Sequence, residues 1–158
     1  MSKPNILLTR IDNRLVHGQV GVIWTSSIGA NLLLVANDDV AKDPLQQKLM
    51  QSTSESSGAQ IRFFSIQKTI DIIGKAAPRQ KIFIIVKTPT DAVKLVDGGV
   101  PIKEIDVGNM HFSTGKEKVT DKVYVDQQDK DDLMKLVDAG VNIYIQDVPG
   151  DKKVPIDF

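Results

Sequence analysis

The sequence predicts an α/β fold: a single three-layer domain over residues 1–158, with a mostly parallel β-sheet and helices on both faces. Three observations carry this. Short apolar runs alternate with longer amphipathic segments along the whole chain, most runs are continuous rather than strictly alternating, and Gly or Pro punctuates the junctions. Continuous apolar runs suit parallel strands covered on both sides. Right-handed crossovers then distribute the helices over the two faces. A chain of 158 residues is long enough to bury a core of its own.

The elements follow in order. Residues 5–9 (NILLT) predict the first strand, and 18–28, with Val20, Val22, Ile23, Trp24 and Ile28, a largely buried helix. Residues 31–36 (NLLLVA) predict the second strand. Asn37, Asp38 and Asp39 after it read as a solvated helix start, where acid favours the helix dipole, with a metal or ribose contact as the other reading. Residues 44–56 predict a helix with Asp43 as N-cap and Pro44 in its first turn. A strand at 61–66 and a short helix at 67–75 precede the run KIFIIV, residues 81–86. Thr88 then marks an ordinary turn before Pro89, although its hydroxyl could also reach a phosphate. A helix at 90–97 stops at Gly98-Gly99. Strands at 105–107 and 142–146 follow, with 122–125 as a further short strand candidate and a helix at 126–139 closed by Gly140. The tail after Pro149-Gly150 reads as irregular. In such sheets ligands bind at the carboxyl ends of the strands. The loops that matter are therefore 10–17, 37–43, 87–89 and 108–114.

Composition removes several classes of function. Acidic and basic residues balance at 20 each with no run of like charge, so no nucleic acid or anionic membrane is expected as a partner. No cysteine is present, which excludes a disulfide framework, a thiolate zinc site and a cysteine nucleophile, and fits a reducing compartment. The apolar run at 6–8 is too short for a signal peptide or membrane span, so a cytoplasmic location is expected. No Walker A sequence occurs, and the Gly18–Gly21 spacing lacks the rest of a dinucleotide fingerprint. Trp24, Phe63, Phe64 and Phe83 lie in apolar-periodic segments and are not interleaved with basic residues, so they read as core rather than as a base-stacking platform.

The chemistry concentrates after the first strand, in Arg10-Ile-Asp-Asn-Arg-Leu-Val-His17-Gly-Gln. This stretch holds one of two histidines and two of four arginines, Arg10 and Arg14. Arginine presents a planar fork matched to phosphate oxygens. A helix N-terminus offers unpaired N–H groups and a favourable dipole, here near Gly18 and Gln19. Neutral histidine is nucleophilic and can take a phosphoryl group on a ring nitrogen. Together these describe a phosphohistidine site. A histidine at a helix start can equally serve as a cap, and the arginines could pair with Asp12, Asp38 or Asp39 at the surface. His111, in the Gly-bounded loop 108–115, reads as a loop histidine or as part of a docking surface rather than as a catalyst. The two histidines lack metal-ligand spacing, so no metal is expected.

The string RIDNRLVHGQV closely resembles the R-I-D-(D/N)-R-(L/I)-(I/V)-H-G-Q-V signature of the IIB subunits of mannose/sorbose-family sugar phosphotransferase systems. Chain length, strand–helix order and the run Val107-Gly-Asn-Met-His111 agree with it. Within that family the chain looks most like the N-acetylgalactosamine or galactosamine type, in NILLTRIDNRLVHGQVG and in IQDVPGD. The resemblance implies phosphorylation at His17, an Arg14 that touches phosphate with Arg10 assisting, and an Asp12 that orients Arg14 or the imidazole. It implies a phosphohistidine IIA subunit as donor, sugar held by membrane subunits IIC and IID, and no cofactor. Rival functions make other demands. A receiver-type signalling domain needs acids where Arg10 and Ser65 stand. A nucleotide-dependent transferase requires nucleotide binding, and a regulatory scaffold makes His17 dispensable.

Overall fold

The computed structural model describes residues 3–156, apart from the side chain of Gln19. Its main sheet has seven strands in the order β3-β2-β4-β1-β5-β8-β9. They are β1 Asn5–Asp12, β2 Leu32–Ala36, β3 Gln60–Phe64, β4 Lys81–Val86, β5 Glu104–Asn109, β8 Asn142–Ile145 and β9 Val154–Pro155. All pair in parallel except β9, which lies antiparallel on β8. The tail expected to be irregular therefore closes the sheet. Strands β6 Glu117–Thr120 and β7 Val123–Val125 form a separate antiparallel hairpin, of which the sequence reading anticipated only β7.

Five helical segments cover the sheet. The first, α1, starts as a π turn over Gln19–Trp24 and continues as α-helix over Thr25–Ile28. The others are α2 Pro44–Ser54, α3 Ile66–Ile72, α4 Pro89–Asp97 and α5 Gln127–Asp138. Side chains of a strand alternate between faces even when every residue is apolar, and β4 shows it. Ile82, Ile84 and Val86 pack with Ile66, Leu95 and Leu133 of α3, α4 and α5. Phe83 and Ile85 pack with Val20, Trp24 and Met50 of α1 and α2. Each such side chain contributes about 1.5–3 kcal/mol by leaving water. The result is three layers, with β4 and β1 at the centre.

Helix boundaries follow local chemistry. Asp43 accepts the Gln46 N–H at 3.2 Å with Pro44 opening α2, as the sequence indicates. Thr88 caps α4, its hydroxyl oxygen accepting the Asp91 N–H at 3.2 Å. The capping box of α5 joins Asp126 and Asp129 reciprocally. Asn37, Asp38 and Asp39 lead into a short 3₁₀ turn, Val40–Lys42: Asn37 holds the Val40 N–H at 2.9 Å and Asp38 the Ile66 N–H at 2.9 Å. As expected of helices on both faces, α1 crosses one face of the sheet and α4 and α5 the other. The ends of β4, β1 and β5 meet at that divide.

Candidate phosphohistidine site

Strand β1 runs further than its apolar core suggests, through Asp12. Arg10 and Asp12 are therefore strand residues, not loop residues as expected, and share a face with Leu8 toward α1. A register shift between Ile11 and Asp12 ends the regular ladder and re-aims the last residue. The chain then turns sharply, with the Leu15 N–H on the Asp12 carbonyl at 3.0 Å. Leu15 takes φ +57°, the single non-glycine residue with positive φ among those described. Such a backbone costs roughly 1 kcal/mol, and the side chain offsets it by packing with Val16, Val20 and Trp24. That turn brings His17 back over the end of its own strand.

Asn13 ties the turn to both neighbours. Its N–H donates to the Asn109 carbonyl at 3.1 Å and its Nδ2 to the Lys87 carbonyl at 3.4 Å. Its Oδ1 accepts the His111 N–H. The ends of β1, β4 and β5 are thus cross-linked around one loop.

At the centre lies Asp12, fully buried. Its Oδ2 accepts from His17 Nε2 at 2.9 Å and from Asn109 Nδ2 at 3.0 Å, with Arg10 Nε at 3.4 Å. Its Oδ1 accepts the Arg14 backbone N–H at 3.0 Å. Burial alone pushes this carboxyl up, but the hydrogen bonds from His17, Asn109 and Arg14 outweigh it and leave it below the usual 3.8. An ionised carboxylate can only accept, so the imidazole nitrogen facing it carries the proton. In the neutral ring Nδ1 then keeps its lone pair, and the His17 side chain is 16% exposed.

Arg10 occupies a place the sequence did not indicate. It is fully buried, with Nη1 on Asp106 Oδ2 at 2.5 Å and on the Gln146 carbonyl at 3.0 Å, and Nη2 on the Asp147 carbonyl at 3.2 Å. The Trp24 ring lies 5.0 Å from its guanidinium carbon. With four bonds committed beneath the surface, Arg10 is not available as the assisting phosphate clamp expected of it. Burial raises Asp106 to about 7, against the pull of Arg10 and the Gln146 N–H.

Arg14 is exposed, and among the described residues no carboxylate pairs with its guanidinium. It lines an open cavity of about 490 Å³ together with Asn109, His111, Phe112, Lys122 and Tyr124. Phe112 and Tyr124 stack there with centroids 5.5 Å apart, and Phe112 is more than half exposed. Helix α1 begins directly after His17, with the Gly21 N–H on the His17 carbonyl at 2.6 Å. The N–H groups of Gly18, Gln19 and Val20 therefore stand at its open end. The Gln19 side chain lies outside the described residues. Thr88 belongs to the neighbouring strand end, where it serves α4. Among the described residues no three His, Cys, Asp or Glu side chains converge as a metal-binding group. Sequence reasoning missed Asn13, Asn109 and Asp106. The signal available was polarity in an apolar strand, Ile105-Asp106-Val107, followed by Gly108 and Asn109.

A half-buried histidine oriented by a buried carboxylate stands directly before an open helix end, three residues along the chain from an exposed arginine, a combination compatible with phosphoryl chemistry. The chain belongs to the sorbose subfamily of IIB components of the phosphotransferase system, which it matches over residues 6–158. It is 64% identical over 156 residues to the N-acetylgalactosamine-specific phosphotransferase enzyme IIB component 1 of Escherichia coli K12, covering 99% of both chains. The crystal structure of the N-acetylgalactosamine-specific IIB component 1 from Escherichia coli superposes with a TM-score of 0.94 at 63% identity, over 97% of this chain and 100% of that one. The IIB domain of the sorbose permease from Klebsiella pneumoniae superposes with a TM-score of 0.87 at 29% identity, over 96% and 93%. No helix among the described residues is long and apolar enough to cross a membrane.

Proposed function

We propose that the chain is a single cytoplasmic phosphocarrier domain whose His17 accepts a phosphoryl group on Nδ1 and passes it to a sugar. The observation that carries this is the bond from His17 Nε2 to buried Asp12, which reserves Nδ1 for phosphorus. The donor is a IIA subunit bearing phosphohistidine. Its N–P bond breaks as the P–Nδ1 bond forms, the electron pair returning to the donor imidazole. Positive charge grows on the His17 ring and Asp12 balances it. Arg14 holds the phosphoryl oxygens with its fork, assisted by the N–H groups at Gly18 and Gln19. Arg10 and Asn109 act from beneath by fixing Asp12. Thr88 stays outside the contact, and His111 and Phe112 belong to the surface that partners meet.

The second transfer runs outward. A hydroxyl of sugar held by the membrane subunits IIC and IID attacks phosphorus, the P–Nδ1 bond breaks and the hydroxyl proton is released. The sugar is N-acetylgalactosamine or galactosamine: the likeness to N-acetylgalactosamine-specific IIB components supports it at 64% identity. The domain meets the membrane only through those partners, and the site asks for no metal or organic cofactor.

The test is intact mass after incubation with phosphoenolpyruvate, the general phosphotransferase proteins and a cognate IIA subunit, beside an ATP-only control. One acid-labile phosphoryl group is expected, absent in His17→Ala and absent with ATP alone. Arg14→Lys in the same assay should slow the gain by about tenfold or more, because an ammonium cannot grip two oxygens at once. A gain that survives in His17→Ala moves the acceptor to His111. A wild-type rate in Arg14→Lys removes the clamp.

A further inference from the structure

Three ionisable side chains lie stacked beneath His17, and the lowest of them, Asp106, has no part in the transfer proposed above. Asp12, Arg10 and Asp106 are all fully buried. The lowest member is fixed from both sides: Asp106 Oδ2 takes Arg10 Nη1 at 2.5 Å and Oδ1 takes the Gln146 N–H at 2.9 Å. The guanidinium between the acids lies in a fitted slot. Trp24 covers it at 5.0 Å, and the bare backbone of Gly108 lies on it so closely that a Cβ there would stand 2.1 Å from Arg10 Cζ.

We propose that Asp106 is a positioning residue for phosphoryl transfer: by holding the Arg10 guanidinium it leaves the Asp12 carboxylate free to carry His17 Nε2. The inference rests on His17 as the acceptor. Charge makes the argument. One buried cation faces two carboxylates, so the trio has a surplus negative charge when both acids are ionised, and Asp12 is the member that meets the imidazole. Distances agree on how the cation divides itself. Arg10 is 2.5 Å from Asp106 but 3.4 Å from Asp12, the long edge of hydrogen bonding, whereas His17 sits at 2.9 Å from the same Asp12 oxygen. Without Asp106 the guanidinium would be an underpaired charge in a low-dielectric interior. It would then draw Asp12 downward in competition with His17. Asp106 thus acts two groups away from the ring, without touching phosphorus.

The test uses the full chain with 15N-labelled histidine at pH 8, where Asp106 is ionised. Two readouts are the 15N shifts of the His17 ring, which report the nitrogen that bears the proton, and the rate of phosphoryl gain from phosphorylated IIA. In Asp106→Asn the folded protein should lose part of its Nε2-protonated population and accept phosphoryl about tenfold more slowly, the low end of the loss when an outer partner orienting a metal-bound imidazole is removed. A purely structural role would lower the unfolding midpoint and leave the ring shifts of folded protein unchanged. Should Asp106→Asn fail to fold, Gly108→Ala displaces the guanidinium while keeping every charge, and the same two changes are expected. Wild-type protein labelled with 15N-arginine supplies a third reading, since phosphorylation of His17 should shift the Arg10 Nε–H resonance. Unchanged ring shifts and rate in the folded variants, or an unmoved Arg10 signal, overturn the proposal while His17 remains the acceptor. A wild-type chain that takes no phosphoryl group on His17 instead overturns the reading of function.

Discussion

Replacing Asp12 by asparagine is expected to lower the rate of phosphoryl acceptance by about 10²–10⁴-fold, the range spanned by general acid–base groups and by the orienting acid of an imidazole. Two effects add. The ionised carboxylate can only accept, and so fixes the ring proton on Nε2. An amide offers an N–H₂ group as well, and permits the opposite tautomer with Nδ1 protonated and unreactive. The carboxylate also balances the positive charge that the ring acquires when Nδ1 bonds to phosphorus. Single-turnover transfer from phosphorylated IIA measures the loss, and a wild-type rate would remove Asp12 from the chemistry. Acid stability gives a second readout. The folded-state value of Asp12 lies below its unfolded 3.8. Its contribution to stability is therefore complete above 3.8 and is lost as pH falls through the lower folded value. Denaturant unfolding followed downward from pH 5 should show this acid-dependent loss in wild type and a shallower slope in Asp12→Asn.

Trp24→Ala should cost about 3–5 kcal/mol of folding free energy, the range for deleting a large aromatic side chain from a core. Trp24 is 3% exposed, and its Nε1–H donates to the Asp147 carbonyl at 3.0 Å. Its ring packs with Leu8, Val20 and Phe83 and covers the buried Arg10 guanidinium, a contact worth about 2 kcal/mol when desolvated. Truncation would open a cavity beside that buried charge. Trp24→Phe, which keeps a ring and loses the N–H donor, should recover more than half of the loss. Urea unfolding followed by far-ultraviolet circular dichroism measures both, since the chain has one Trp and its emission disappears with the substitution. A cost below about 1 kcal/mol, typical of a surface change, would show that the indole carries little of this packing.

The fold was legible where apolar runs were long. KIFIIV could hardly be anything but a strand covered on both faces, and Asp43-Pro44 marked the start of α2 to the residue. Less legible were β6 and β9. Neither has an apolar run: Glu117–Thr120 is polar and pairs only with β7, and Val154–Pro155 is two residues long. Such strands owe their existence to a partner that local sequence does not display. The loop of the site was legible by residue type, since a histidine and two arginines stood out in a lysine-rich chain. Their division of labour was not. Arg10 and Arg14 look alike in sequence, yet strand alternation buries the first and the turn after Asp12 exposes the second. The partners that hold Asp12 and Arg10 come from β5 and from the end of β8, about a hundred residues away, and only the sheet order brings them beside β1.

The two rims of the main sheet are unequal, and that bears on whether further strands can add to it. Unpaired strand edges invite other chains to add on. At one rim the outermost strand is β9, two residues long, and one of them is Pro155, which has no N–H to offer a newcomer. At the other, β3 presents exposed Gln60 and Arg62, and Arg62 Nη1 donates to the Ile61 carbonyl at 2.9 Å, occupying an acceptor of that strand. Among the described residues, a blunted rim and a charged one give the sheet no long apolar margin on which a second copy could extend it.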